Sequence, residues 1–292
     1  MIKLKGLFVQ SSIISKMLIL IGFAIVFTVF GMFVWTLFKG NTTDVNSLKL
    51  MQLMQSLGMF VLPPFVFAYF CTEKPMTFLH LDKKLNWLHI GFVILFMLAI
   101  IPAINLLTSL NQQMVLPKAF AGIEAWMKLS EEQLAKFTEQ LVNVHSLGAL
   151  TFNIFLIALI PAFGEELFFR GAIQGIFKQK THIVFSIWIT AAIFSAIHMQ
   201  FYGFFPRLLL GAFFGYLLFW SENLWLPVVG HFVNNGVAIL FYYLKCNGYR
   251  VPDIDSIGTG NSLWIGLLSL CLGVFGFFFL RSTIFIRNTP RA

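Results

Sequence analysis

The sequence predicts an all-α, polytopic membrane helical bundle of about eight transmembrane helices. Of its 292 residues, 58% are hydrophobic and only 11% are charged, whereas soluble domains carry roughly 25% charged residues. Its 36 phenylalanines exceed what one buried core can hold, but lipid can solvate them. Apolar segments of about 20 residues, the length that crosses a bilayer, recur along the chain. This pattern excludes a soluble enzyme and a nucleic-acid-binding domain, despite the net charge of +8. The lipid bilayer is the expected environment.

Eight apolar segments are long enough to be predicted as spans. They cover residues 14–38, 50–71, 88–110, 148–177, 183–198, 205–220, 224–244 and 263–280. The first is too long for the apolar region of a signal peptide, so we expect an uncleaved span. Lys and Arg are more numerous in the segments that share a side with the N-terminus. The positive-inside rule then predicts cytoplasmic N- and C-termini. The few loops and the absence of an organelle signal indicate a bacterial plasma membrane.

One long loop, 111–146, interrupts the series of spans. Within residues 125–144, apolar side chains such as Trp126 and Phe137 recur near helical spacing, with acidic residues between them. Ser130 precedes two glutamates and is predicted to cap the first turn of this helix. The loop is therefore expected to form an amphipathic helix on the outer surface. Packing alone, without a function of its own, is the favoured interpretation of this helix.

We divide the chain into three predicted regions. Residues 1–146 hold the N-terminal spans and the outer loop, 147–244 form a candidate catalytic core, and 245–292 hold the last span and a basic tail. The core contains Gly211 and Gly215 in a GxxxG pattern, which is typical of ordinary close helix packing in membranes.

Ionisable residues inside spans are costly and therefore suggest function. The fourth span contains Glu165, Glu166 and Arg170 within an otherwise apolar helix. Glu166 and Arg170 are spaced i,i+4 with the acid first, the favourable order for an ion pair. Glu165 has Phe169 at the corresponding position and thus no cation there. A carboxylate of this kind suits a general base, and a structural ion cluster of all three charges is the equal alternative.

The fifth span ends with Phe194 and His198, spaced i,i+4. Glu165 and His198 lie at similar distances from the polar turn 179–181 that separates their helices, so the helical rise places them at similar depth. They could share a water molecule. The alternative is a histidine that only hydrogen-bonds the helix end.

The seventh span begins with His231 and Asn235, again spaced i,i+4. His and Asn side chains can donate hydrogen bonds to a developing oxyanion. Hydrogen bonding between helices is the alternative for both residues. Asn234 is one residue further round the helix and is expected to face elsewhere.

These three motifs, in this order and on membrane helices, resemble those of the CPBP family over residues 147–244. This family includes the type II CAAX prenyl endopeptidases, their bacterial relatives, and Abi-like bacteriocin-processing or immunity proteins. The resemblance rests on EExxxR, FxxxH and HxxxN, present here as Glu165-Glu166-Leu-Phe-Phe-Arg170, Phe194-Ser-Ala-Ile-His198 and His231-Phe-Val-Asn-Asn235. It implies an intramembrane endopeptidase.

The resemblance also implies a role for each motif residue. Glu165 and His198 would activate the attacking water, and His231 and Asn235 would stabilise the tetrahedral oxyanion. Structural support would come from the remaining motif residues, which are Glu166, Arg170 and Phe194. The expected substrates are membrane-associated peptides or proproteins, because a prenylated CAAX substrate needs a lipid-attaching pathway that a bacterial member would lack.

The family has been described both as metalloproteases and as metal-independent glutamate proteases. This sequence lacks HExxH, and we expect no Cys or Asp from nearby loops to complete a metal site. We therefore favour no cofactor. Zinc is the alternative, and its ligands would be Glu165, His198 and His231.

Two other classes of function compete with the protease. One is a catalytically idle membrane scaffold or bacteriocin-immunity protein, which could keep the same residues for structural reasons. The other is a transporter with a proton relay, which the absence of an evident internal repeat disfavours.

Overall fold

The computed structural model describes residues 4–38, 44–114 and 117–288, and every regular element within them is helical. This confirms the predicted all-α fold class. The longer helices in chain order are α1 (Ile13–Phe38), α2 (Val45–Cys71), α3 (Trp87–Ala99), α4 (Ile101–Gln112), α5 (Ala121–Val142), α6 (Leu147–Lys178), α7 (Ile183–Ile197), α8 (Phe204–Ser221), α9 (Trp225–Cys246) and α10 (Leu263–Asn288).

Each of the eight predicted spans coincides with helix in the structure. Among the described residues, five helical stretches are long and apolar enough to cross a membrane: α1, α2, α6, α10 and the stretch that contains α8. The predicted third span is broken, since α3 and α4 meet at a 44° bend. Pro102 lies in the first turn of α4, and proline disrupts the hydrogen bonding of a continuous helix. The protein is thus a multi-pass membrane bundle, and the number eight stays a prediction.

The outermost helices have the surface that lipid requires. Large apolar side chains on α1 and α10 are exposed, among them Phe33 at 57% and Phe275 at 69%. Such exposure would be unfavourable in water but is neutral against acyl chains. The predicted cytoplasmic placement of the termini involves residues 1–3 and 289–292, which lie outside the described residues.

The predicted outer-loop helix is present as α5, but its predicted start is wrong. Ser130 lies inside the helix, which begins at Ala121 after Pro117 and a short turn, Lys118–Phe120. The helix propensity of the residues before Ser130 was sufficient to extend it by more than two turns. Trp126 contacts Phe201 with ring centroids 5.7 Å apart, so α5 packs against the turn that precedes α8.

Close packing among α6, α7 and α8 brings the motif helices together. A Cβ atom on Gly211 would lie 3.2 Å from the Ala191 Cβ of α7, and one on Gly215 would lie 2.9 Å from Ile187 of the same helix. The side-chain amide of Gln174 in α6 also donates to the Gly215 carbonyl oxygen at 3.2 Å. The interpretation of the GxxxG pattern as close helix packing is confirmed.

Gly215→Ala is expected to destabilise the bundle by about 1–3 kcal/mol, because an added methyl group overfills a packed interface. Its Cβ would lie 2.8 Å from Gln174 Oε1. The measurement is the thermal unfolding midpoint in detergent. Gly22→Ala is the matched control, since a Cβ there meets nothing within 4 Å. Equal midpoints for the two variants would contradict the proposed tight contact.

Candidate active site

The four predicted catalytic residues line one cavity of about 1000 Å³, namely Glu165, His198, His231 and Asn235. They come from the second half of α6, the residue after α7 and the first half of α9. The outer helix α5 contributes Glu131 and Glu139 to the same cavity wall. The structure therefore brings together residues that are up to 70 positions apart in sequence.

The Glu165 carboxylate faces both imidazoles. Its Oε2 lies 3.7 Å from His198 Nε2 and 3.8 Å from His231 Nε2. Both separations exceed the length of a hydrogen bond, and Glu165 Oε2 has no hydrogen-bond partner among the described residues. The Glu165 side chain is 13% exposed and that of His198 is 28% exposed. Both side chains border the cavity, although Glu165 Oε2 itself is buried.

Glu166 and Arg170 form the predicted ion pair in the protein interior. Arg170 Nη1 donates to Glu166 Oε1 at 3.0 Å, and both side chains are 0% exposed. Arg170 Nη2 also donates to the carbonyl oxygen of Gly211 in α8 at 3.0 Å. The chain leaves the regular α-helical path directly after Glu166, in a π-helical segment, Leu167–Gln174, that carries Arg170. Such widened turns are frequent at functional sites.

His231 is oriented by Glu166 as well as by packing. Its Nδ1 lies 2.8 Å from Glu166 Oε1, and since a carboxylate accepts, Nδ1 carries the proton. The ring stacks on Phe214 at a centroid distance of 5.5 Å and an angle of 15°. The other ring nitrogen, Nε2, is thereby directed toward Glu165.

His198 also directs its Nε2 toward Glu165, but a different contact holds its ring in place. Its Nδ1 donates to the carbonyl oxygen of Phe194 at 2.7 Å, one helical turn earlier. The Phe194 ring meets the His198 ring edge to face at 4.6 Å, and the Arg170 guanidinium lies 4.4 Å from the centre of the same Phe194 ring. Phe194 thus connects the buried ion pair to the His198 imidazole.

Asn235 lies in the cavity wall beside Asn234, which was expected to face elsewhere and does not. Asn234 Nδ2 donates to Asn235 Oδ1 at 3.2 Å. This bond occupies the carbonyl oxygen of the Asn235 amide and leaves its NH₂ group available to a ligand. The expectation for Asn234 was wrong because the cavity is wide. It borders a broad face of the helix, and two consecutive residues both lie on that face.

Sequence reasoning also missed Arg207 and Phe214. Arg207 lies in α8 and lines the cavity. The one available signal was its position inside the sixth apolar segment, where an arginine is costly. Phe214 gave no signal, because one phenylalanine among 36 cannot be singled out.

The side chains of the site are of the types that bind zinc, but they are not arranged as zinc ligands. Two imidazole nitrogens and one carboxylate oxygen are common zinc ligands. In the described part of the chain, however, no group of three His, Cys, Asp or Glu side chains has metal-binding geometry. Two loop aspartates, Asp253 and Asp255, line the same cavity, but within the described residues neither joins the glutamate and the histidines in such a group.

Comparison with known proteins identifies the segment that carries this site. Residues 147–237 match the family model described as type II CAAX prenyl endopeptidase Rce1-like, so the resemblance to the CPBP family, a protease family, is confirmed for this segment. The chain is 30% identical over 89 residues to "Uncharacterized protein YpbD" of Bacillus subtilis (strain 168). That match covers 29% of this chain and 43% of the relative, less than half of the relative's length. No solved structure matches the chain.

Proposed function

We propose that this protein is an integral membrane endopeptidase that hydrolyses peptide bonds of membrane-associated peptides or proproteins. The observation that carries the proposal is the placement of one carboxylate oxygen, Glu165 Oε2, opposite two imidazole nitrogens at 3.7 and 3.8 Å in a cavity. We further propose that it resides in a bacterial plasma membrane with both termini in the cytoplasm.

The hydrogen bonds of the two histidines support a shared water molecule. Both Nδ1 atoms are engaged, by Glu166 and by the Phe194 carbonyl, so both Nε2 atoms face Glu165 as acceptors. Three acceptors directed at one point require a donor between them. Polar separations above 3.5 Å are commonly bridged by water. A water molecule could donate to Glu165 and to one imidazole at the same time.

Hydrolysis would then proceed by general acid–base chemistry. The water oxygen attacks the carbonyl carbon of the substrate while Glu165 takes one water proton, and His198 orients the water. The carbonyl oxygen becomes an oxyanion. Glu165 returns the proton to the amide nitrogen and the C–N bond breaks; the second water proton then passes from the new carboxyl group to the amine, so that a carboxylate and an ammonium group leave the site.

Asn235 and His231 are the proposed donors to the oxyanion. The free NH₂ group of Asn235 can donate directly, given that Asn234 already occupies its carbonyl oxygen. His231 donates from Nε2 only as an imidazolium, so this role requires a state of the site with one proton more than the state in which its Nε2 accepts from the water. The Glu166 carboxylate at its Nδ1 holds the ring in the orientation that this donation needs, as an aspartate does in a catalytic triad.

We propose that the reaction needs no metal ion. Glu165 has an oxygen without a hydrogen-bond partner among the described residues, which makes it available as a proton acceptor. If zinc does bind, Glu165, His198 and His231 are the residues that would hold it, and Glu166 would orient His231. Bound zinc would supply Lewis-acid activation of the water.

The proposed activity is tested by incubating the purified full-length protein in lipid nanodiscs with a library of membrane-associated peptides. Mass spectrometry of the products identifies cleavage. We expect internal cleavage of a subset of peptides by the wild-type protein. Peptide binding without cleavage, under every lipid and pH condition that keeps the protein folded, would instead support the idle scaffold or immunity protein.

The metal question has its own test on the same preparation. We expect elemental analysis of active protein to show no stoichiometric zinc, and we expect chelation followed by dialysis to leave cleavage unchanged. Stoichiometric zinc, with activity lost on its removal and restored on its return, would overturn this part of the proposal. The three candidate ligands would then be reassigned from water activation to metal binding.

A further inference from the structure

Arg207 places a positive charge in the wall of the catalytic cavity. It lies in the first turn of α8 and lines the cavity together with Glu165 and His198. Gly211, the next residue on the same helix face, accepts a hydrogen bond from Arg170. Four residues rise about 6 Å along the helix, so Arg207 lies about one turn from the helix packing that supports the site.

The guanidinium is held in position without being neutralised. Its Nη1 donates to the backbone carbonyl of Gln200 at 3.1 Å, and its Nη2 donates to Gln200 Oε1 at 2.5 Å. Both partners are uncharged. The carboxylates of Glu131 and Glu165 act on Arg207 electrostatically across the cavity, but among the described residues neither forms an ion pair with it.

The other cation in the cavity wall differs in this respect. Lys245 Nζ lies 3.3 Å from Asp253 Oδ1, and both side chains are more than half exposed. Its charge is therefore already compensated and well solvated. In the described part of the cavity wall, Arg207 is the half-buried cation that lacks an anion.

We propose that Arg207 binds a carboxylate group of the peptide substrate and thereby selects anionic peptides and sets their register in the site. This inference rests on the proposed endopeptidase function. A guanidinium already fixed by two hydrogen bonds is pre-organised for a carboxylate, because little side-chain freedom is lost on binding. The carboxylate has two sources, the C-terminus of the peptide or an Asp or Glu side chain.

The test uses the best-cleaved library peptide in three forms: unmodified, with an amidated C-terminus, and with its Asp and Glu replaced by Asn and Gln. For the wild-type protein we expect KM to rise about 10- to 100-fold for the form that lacks the recognised carboxylate. The form that shows this rise identifies the source.

Arg207→Gln should raise KM for the unmodified peptide by a similar factor and abolish the difference between the peptide forms. Arg207→Lys keeps the charge and should restore part of the discrimination. Lys245→Gln is the matched control and should keep the full discrimination between the peptide forms. A fall in kcat by the same factor for all three peptide forms, with KM unchanged, would mean that Arg207 tunes Glu165 instead, which would overturn the proposal.

A binding measurement separates this inference from the proposed function. In the Glu165→Gln background, which is not expected to cleave, fluorescence anisotropy reports the affinity for the labelled peptide with and without Arg207→Gln. Weaker binding of the two forms that keep the recognised carboxylate, with the third form unchanged, supports the carboxylate site. Equal binding of all forms contradicts it, whereas a wild-type protein that cleaves no peptide contradicts the endopeptidase.

Discussion

Glu165→Gln is expected to lower kcat/KM for peptide cleavage by about 100- to 10,000-fold, the usual contribution of a general acid–base group. Glutamine keeps the shape of the side chain but cannot take the water proton. The fold should tolerate the change, because Glu165 is 13% exposed and its Oε2 has no hydrogen-bond partner in the described structure. Steady-state kinetics and the thermal unfolding midpoint together measure both effects.

Glu139→Gln is the matched control for this prediction. Glu139 also lines the cavity, but it does so from α5, and among the described residues it forms no ion pair with either active-site histidine. We expect its kinetics to stay close to those of the wild type. If the Glu165→Gln protein folds normally and cleaves at the wild-type rate, Glu165 is not the general base. The cluster of Glu165 with the two histidines would then have a structural role.

Local spacing was sufficient to predict one contact within a helix and one between two helices that follow each other in the chain. The i,i+4 rule paired Glu166 with Arg170, and the structure places them 3.0 Å apart. The helical rise alone placed Glu165 and His198 at one depth, and Glu165 Oε2 lies 3.7 Å from His198 Nε2. Both arguments need only the regular geometry of a helix, which apolar sequences in a membrane adopt almost without exception.

Contacts between helices that are distant in sequence could be found only from the fold. The bond from His231 Nδ1 to Glu166 Oε1 joins residues 65 positions apart, and no spacing rule connects them. The same holds for Arg207, whose position in the cavity depends on how α8 packs against α6 and α7. That packing is set by small residues such as Gly211 and Gly215, whose contacts are visible only once the helices are placed.

Helix ends and breaks were also beyond the sequence argument. Hydropathy treats residues 88–110 as one apolar segment, although Pro102 divides it into α3 and α4. The start of α5 was placed at Ser130 because a serine followed by glutamates is typical of a cap. A serine caps a helix only where the residues before it are not helical. Here the preceding residues continue the helix, so Ser130 lies inside it.

Arg170→Ala is expected to destabilise the protein by about 3–5 kcal/mol, the range found when one partner of a buried ion pair is removed. Glu166 would be left as an uncompensated charge at 0% exposure. The hydrogen bond to the Gly211 carbonyl and the contact with the Phe194 ring would be lost as well. Unfolding by denaturant in mixed micelles, with expression yield alongside, measures the effect.

Two companion variants establish that buried charge is the cause of this loss. Lys83→Ala removes an exposed ion pair, Lys83 Nζ to Glu222 Oε2 at 3.5 Å, and should change stability by at most about 1 kcal/mol. The double variant Glu166→Gln with Arg170→Met removes both interior charges and should recover part of the lost stability. Activity should not return with it, because His231 would lose the carboxylate that orients its ring. If Arg170→Ala is as stable as the wild type yet inactive, Arg170 acts on the substrate or the reacting groups rather than on the fold.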